Sequence, residues 1–201
     1  MPTPANAPLS MAERLDPTVH AALARSLGSL SHASALMAAS DWALHLAASP
    51  GQRMDLAHLA LRQGQELAAY ALARMAAGPD KEARHAVATP TQDRRFADPA
   101  WQQWPFNLMH QSFVLTEQWW AAATHGVWGV DKHHEDMVAF AARQFLDIFS
   151  PGNQPATNPV VLNRTLTQGG ANLARGALHL LEDARRHATG APPAGAENFV
   201  V

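Results

Sequence analysis

The chain has 201 residues, 47% of them hydrophobic and 16% charged, a globular balance with enough length for one substantial domain. Fifteen basic against 17 acidic residues leave a net charge of −2, which argues against the clustered basic surface that nucleic-acid binding needs. There is no cysteine, which excludes a disulfide frame, a thiolate metal site and a cysteine nucleophile. Met1 to Ser10 carry neither a basic n-region nor an apolar h-region, and no apolar run approaches the ~18 residues of a membrane span. The expected location is therefore the cytoplasm.

Ala, Leu, Met, Gln and Arg dominate, β-branched residues are sparse, and the whole chain reads as helical. Residues 1–13, rich in Pro and Ala, read as a flexible arm. Asp16-Pro17 predicts a cap followed by proline at the first helical position, with a short helix running to Leu27 and Gly28 as its stop. A second helix is expected over Ser31 to Ala48, ending before the turn sequence Ser49-Pro50-Gly51. The third, Arg53 to Ala77, sets Asp55, His58, Arg62 and Gln65 on one face, with Leu56, Leu59, Ala60, Leu67 and Ala71 on the other. Gly64 inside it predicts a close helix crossing.

The polar stretch from Gly78 to Phe96 reads as a connection. Asp98-Pro99 repeats the cap-plus-proline start, giving a short helix through Trp101. Pro105 opens a helix to His125, Asp131 caps one to Phe149, and Asn158-Pro159 begins a short one ended by Gly169-Gly170. The last runs from Ala171 to His187, with Leu173, Ala177, Leu180, Leu181 and Ala184 on its apolar face and Arg175, His179, Glu182 and Arg186 opposite. Beyond the Ala/Pro/Gly linker from Gly190 to Gly195, Phe199-Val200-Val201 reads either as the opening of a β-strand or as a stray apolar end. The expected fold is all-α: an irregular bundle of about seven helices with long loops and flexible ends.

No Gly-x-Ser-x-Gly elbow, phosphate loop or dinucleotide fingerprint occurs, and no cofactor is expected. His133, His134, Glu135 and Asp136 are adjacent in sequence, so a helix fans them around its circumference. His179, Glu182 and Asp183 have a spacing that could share a cation. No second pair at ligand spacing completes a site, so we read a solvated face with intrahelical pairs rather than a metal. The Pro105–His125 helix is unusual. Phe106, Met109, Phe113 and Trp120 form one apolar stripe, and Leu108, Leu115 and Trp119 a second. Such a helix is either central in its domain or covered by a partner, and Phe106, Phe113, Trp119 and Trp120 are the candidate docking residues.

Several motifs carry a resemblance. Asp93-Arg94-Arg95-Phe96-Ala97-Asp98-Pro99-Ala100-Trp101-Gln102 resembles the segment opening the N-terminal region of poly-β-hydroxybutyrate polymerases, the class I polyhydroxyalkanoate synthases. Ser150-Pro151, Thr157-Asn158-Pro159 and Gly169-Gly170-x-Asn172-Leu173-x-Arg175-Gly176 follow in that family's order and spacing. Asp41-Trp42-Ala43-Leu44-His45-Leu46 with Ser49-Pro50-Gly51 resembles the leader of many such synthases. Gly152-Asn153-Gln154-Pro155 departs from the family, which usually has an asparagine and then a phenylalanine or similar there.

The resemblance implies a helical leader over 14–78, a connecting loop over 79–95, the family's helical N-terminal domain over 96–188, and over 189–201 a linker and the start of a catalytic domain. That domain is implied to be of α/β-hydrolase type, with a cysteine, assisted by histidine and aspartate, attacking 3-hydroxyacyl-CoA thioesters. None of those three residues lies in this sequence, so the chain alone is expected to be inactive. Its implied role is support: contact with the C-terminal catalytic domain of the same synthase, homodimerisation, and attachment to the polymer granule and to phasin-type proteins. The competing reading is an independent, phasin-like granule coat.

Overall fold

The computed structural model of the chain describes residues 10–26, 31–77, 94–192, 194 and 195. The Leu27-Gly28 stop, most of the connection before Phe96, Asp93 and the Phe199-Val200-Val201 tail lie outside the described residues. Among the described residues the fold is all-α, as expected. In chain order the seven α-helices are α1 (Met11–Ser26), α2 (His32–Ala47), α3 (Pro50–Ala77), α4 (Phe106–Thr124), α5 (Lys132–Ile148), α6 (Pro159–Thr167) and α7 (Ala171–Thr189). Two 3-10 turns, Pro99–Gln102 and Pro151–Asn153, stand before α4 and α6.

Side-chain caps explain several of the starts. Asp98 accepts from the Ala100 amide at 2.9 Å, and Asn158 from the Val160 and Val161 amides at 2.9 and 3.3 Å; a proline follows each cap. The Asp131 carboxylate accepts from the His133 amide at the head of α5. Two starts differ from expectation. Helix α1 begins at Met11, because Ser10 and Glu13 form a reciprocal capping box: the Ser10 amide donates to Glu13 Oε2 at 2.8 Å and the Glu13 amide to Ser10 Oγ at 3.2 Å. Pro17 therefore sits inside α1, where it lacks the amide that would bond the Glu13 carbonyl. Helix α3 begins at Pro50 itself, so the turn after α2 shrinks to Ala48 and Ser49. Among the described residues nothing lies within 4 Å of a Cβ position at Gly64, so they show no close crossing there.

The chain divides into two compact units. The first comprises α1, α2, α3 as far as Gln63, and Thr116–Leu146; the second comprises Gly64–Leu115 and residues from Asp147 onward. In the first unit the end of α4 is sealed by side chains. A helix leaves its last carbonyls unpaired, yet here Gln52 Nε2 donates to the Ala122 carbonyl at 3.2 Å and Trp42 Nε1 to that of Ala123 at 2.8 Å. The Thr124 hydroxyl donates to the Trp120 carbonyl at 2.8 Å, and His125 Nδ1 lies 2.8 Å from that of Ala121. In the second unit Phe96, Trp101, Phe113, Val114 and Leu115 are buried together with the polar Asn107, His110 and Gln111. Helix α4 contributes to both units, through Phe106–Leu115 and Thr116–Thr124, and α7 lies against α6.

Candidate functional site

The motif residues of the second unit build a single aromatic knot. Phe96 and Trp101, 3% and 1% exposed, meet edge to face with centroids 4.8 Å apart. On its other side Phe96 stacks on His110 at 4.3 Å and leans on Phe113 at 5.9 Å, while Trp101 meets Phe106 at 6.3 Å. The Arg95 guanidinium lies 5.5 Å from the Phe96 centroid and 5.2 Å from that of Phe113, and its Nη1 pairs with Asp147 Oδ1 at 2.8 Å. One arginine therefore links the 94–101 segment, α4 and the end of α5 through ring quadrupoles and a charge-assisted hydrogen bond. Arg94 is exposed.

Asn158 has two tasks. Its Oδ1 caps α6, and its Nδ2 donates to the Gly152 carbonyl at 2.7 Å. Asn153 Nδ2 donates to the Asp147 carbonyl at 2.6 Å and Thr157 Oγ1 to that of Pro151 at 2.8 Å, so the departure at Gly152-Asn153-Gln154-Pro155 is folded back on itself by its own side chains. Pro159 is buried. Gly169 and Gly170 have φ +55° and +85°, the left-handed backbone that ends α6 and lets the Gly170 amide reach the Thr165 carbonyl at 2.9 Å. Asn172 Nδ2 then donates back to Thr165 Oγ1 at 2.8 Å, and Arg175 bonds Gln168 Oε1. These positions fix a turn between two helices.

The first unit holds the tryptophans. Trp119 and Trp120 meet edge to face at 5.5 Å, and Trp42 lies 6.4 Å from Trp120. Trp119 Nε1 donates to the Leu56 carbonyl at 3.1 Å. Of the four candidate docking residues, Phe113 is buried and Phe106, Trp119 and Trp120 are half-buried, while large apolar exposure falls elsewhere, with Trp128 at 89%. Trp128 rides on a braced loop. The Gly126 amide donates to Glu135 Oε2 at 2.7 Å and the Asp131 amide to Asp41 Oδ2 at 3.1 Å.

Asp41 is the hub that sequence reasoning placed only as a motif residue. His134 Nδ1 lies 2.7 Å from its Oδ2 and His45 Nδ1 3.0 Å from its Oδ1. The hydrogen bond from His134, then that from the Asp131 amide, holds the Asp41 carboxyl below the usual aspartate range. Glu135 is lowered in the same sense, by Lys132 Nζ first and the Gly126 amide second. Of the second histidine cluster, Glu182 pairs with Arg185 at 3.2 Å and Arg186 at 3.0 Å. Among the described residues no three His, Asp or Glu side chains form a group that could hold a metal ion. Among them, too, no helix is long and apolar enough to cross a membrane.

Comparison with known proteins agrees with the motifs. The profile of the poly-beta-hydroxybutyrate polymerase (PhaC) N-terminus matches residues 92–201, and a poly-beta-hydroxybutyrate polymerase N-terminal profile matches residues 10–52. A poly(3-hydroxyalkanoate) polymerase of Methylorubrum extorquens is 41% identical over 98 residues, 48% of this chain and 16% of that protein. A poly(3-hydroxyalkanoate) polymerase subunit PhaC of Rhizobium meliloti (strain 1021) is 36% identical over 92 residues, 45% of this chain and 15% of its own length. The subunit of the same name from Cupriavidus necator is 31% identical over 98 residues, 48% of this chain and 16% of its length. The chain therefore matches only a small part of the length of these relatives. No solved structure matches it. With one profile covering more than half of its residues, the chain belongs to the poly-β-hydroxybutyrate polymerase family, of which it carries the N-terminal region.

Proposed function

We propose that this chain is a non-catalytic supporting domain for an α/β-hydrolase-type acyltransferase that polymerises 3-hydroxyacyl-CoA. The observation that carries the reading is the fate of the motif residues. Arg95, Phe96, Trp101, Asn158, Gly169, Gly170 and Asn172 are spent on a ring cluster, a cap and a helix turn. Residues conferring the family likeness are thus used to hold a shape, and the cysteine nucleophile that the family resemblance implies for acyl transfer is absent from this chain. In this reading the domain acts in the cytoplasm at the polymer granule surface, as part of a homodimer and in reach of phasin-type proteins. The half-buried Phe106, Trp119 and Trp120 border such partner contacts, and Phe113 serves inside its unit.

The test is direct. The purified chain, given 3-hydroxybutyryl-CoA, releases no CoA above the uncatalysed rate. Saturable release that survives a control for host contamination would overturn the assignment of roles. A phasin-like coat is the second reading, favoured by the exposed leucines of α7. It predicts binding to polymer particles with no ability to replace the N-terminal region of a polymerase.

A further inference from the structure

Helix α7 is turned the wrong way round for a helix that finishes a domain. On its helical wheel, positions 173, 177, 180, 181 and 184 fall in one arc that contains only Leu and Ala. Packing against a core would turn that arc inward. Instead Leu173, Leu178, Leu180 and Leu181 are 50%, 65%, 69% and 66% exposed, and the half-buried members of the helix are the polar Asn172, Glu182 and Arg186. The polar face is also the engaged one. Asn172 bonds Thr165, Arg175 bonds Gln168, and Arg186 is shared between Glu182 and the Pro192 carbonyl at 3.2 Å. The bonds from Asn172 and Arg175 to the end of α6 hold the first turns of α7 with its leucines outward.

We propose that the apolar face of α7 is the docking surface for the polypeptide that follows this region in the polymerases; the inference rests on the supporting-domain reading above. Two observations select that occupant. The matched profile describes a polymerase N-terminus, and the stretch it shares with the Methylorubrum extorquens protein is 16% of that protein, so most of such a polymerase lies outside this region. Helix α7 is the last helix among the described residues, so the polypeptide that follows in such polymerases is tethered close to it, at an effective concentration of about millimolar, far above that of a second copy free in solution.

The experiment replaces the matching region of the Methylorubrum extorquens polymerase with this chain and places p-benzoylphenylalanine at position 180. Irradiation followed by peptide mapping is expected to join position 180 to residues beyond the matched region of the same polypeptide. Leu173→Gln with Leu181→Gln should reduce that product at least tenfold while helix content, read by circular dichroism on the 201-residue chain, stays unchanged. Crosslinks to α7 of a second copy, to α1–α3, or to lipid and polymer would overturn the assignment, as would an undiminished product in the double variant. CoA release by the same chimera separates the two claims. An active chimera with crosslinks elsewhere sinks only the α7 surface, and an inactive one sinks the supporting role with it.

Discussion

The Arg95 guanidinium pairs with Asp147 at 2.8 Å while lying 5.2 Å from the centre of the Phe113 ring, so one cation is held by a carboxylate and an aromatic face together. Both side chains are partly exposed, which makes the ion pair worth about 0–1 kcal/mol and each ring contact about 0.5–1 kcal/mol. Arg95→Ala should therefore cost about 1–3 kcal/mol in urea unfolding, and Asp147→Asn distinctly less, because it leaves the ring contacts in place. Arg95→Lys should fall between the two, since a lysine keeps the charge but lacks the planar fork. Equal losses for Arg95→Ala and Asp147→Asn would mean that the rings contribute nothing.

Two glycines with positive φ differ in what surrounds them. Gly170 has φ +85° and open space, so Gly170→Ala carries only the backbone strain of about 1–2 kcal/mol. Gly129 has φ +91°, and a methyl there would collide with the His45 ring. Gly129→Ala should be the more damaging substitution. Its excess over Gly170→Ala should shrink when His45→Ala is added, as thermal unfolding of the four variants would reveal.

Asp41 has its carboxyl lowered by His134 first and the Asp131 amide second. A carboxyl with a folded value below its unfolded one adds stability that is complete above the ordinary aspartate value, ~4. That contribution is lost as the pH falls through the folded value. Glu135 acts with the same sign. The stability gap between the native chain and Asp41→Asn should thus be widest near neutrality and close on acidification below pH ~4. A gap that is constant over this range would show that the carboxylate's charge is irrelevant to the fold.

Much of the helical layout could be read from single residues with one physical meaning. Asp98, Asn158 and the prolines after them fix starts to within a residue, since a side-chain acceptor followed by a residue without an amide has few other uses. Gly169-Gly170 fixes a stop for a similar reason. The start of α1 is harder to read, because Ser10 and Glu13 lie in a Pro- and Ala-rich stretch whose composition outweighs a pair of reciprocal hydrogen bonds.

The candidate site was harder to read. Periodicity marked Phe106, Phe113, Trp119 and Trp120 as unusually apolar, but whether a domain or a partner covers such a stripe depends on tertiary packing. The burial of Asn107, His110 and Gln111 in α4, at 1%, 2% and 0% exposed, has no signature in an apolar pattern. The Asp41–His134 pair joins positions 93 residues apart, which no local spacing encodes. The outward rotation of α7 follows from the polar bonds of Asn172 and Arg175 to the end of α6, whereas its hydrophobic pattern alone predicts the opposite orientation.

The central claim is that this chain supplies shape and support to a polymerase and no chemistry. Its most direct test is CoA release from 3-hydroxybutyryl-CoA by three forms of the Methylorubrum extorquens polymerase: native, lacking the matched N-terminal region, and with this chain in that region's place. The account predicts a rate at least tenfold lower for the deleted form and recovery to within a few-fold of native in the chimera. A deleted form as active as the native enzyme, or a chimera no better than the deletion, would contradict it.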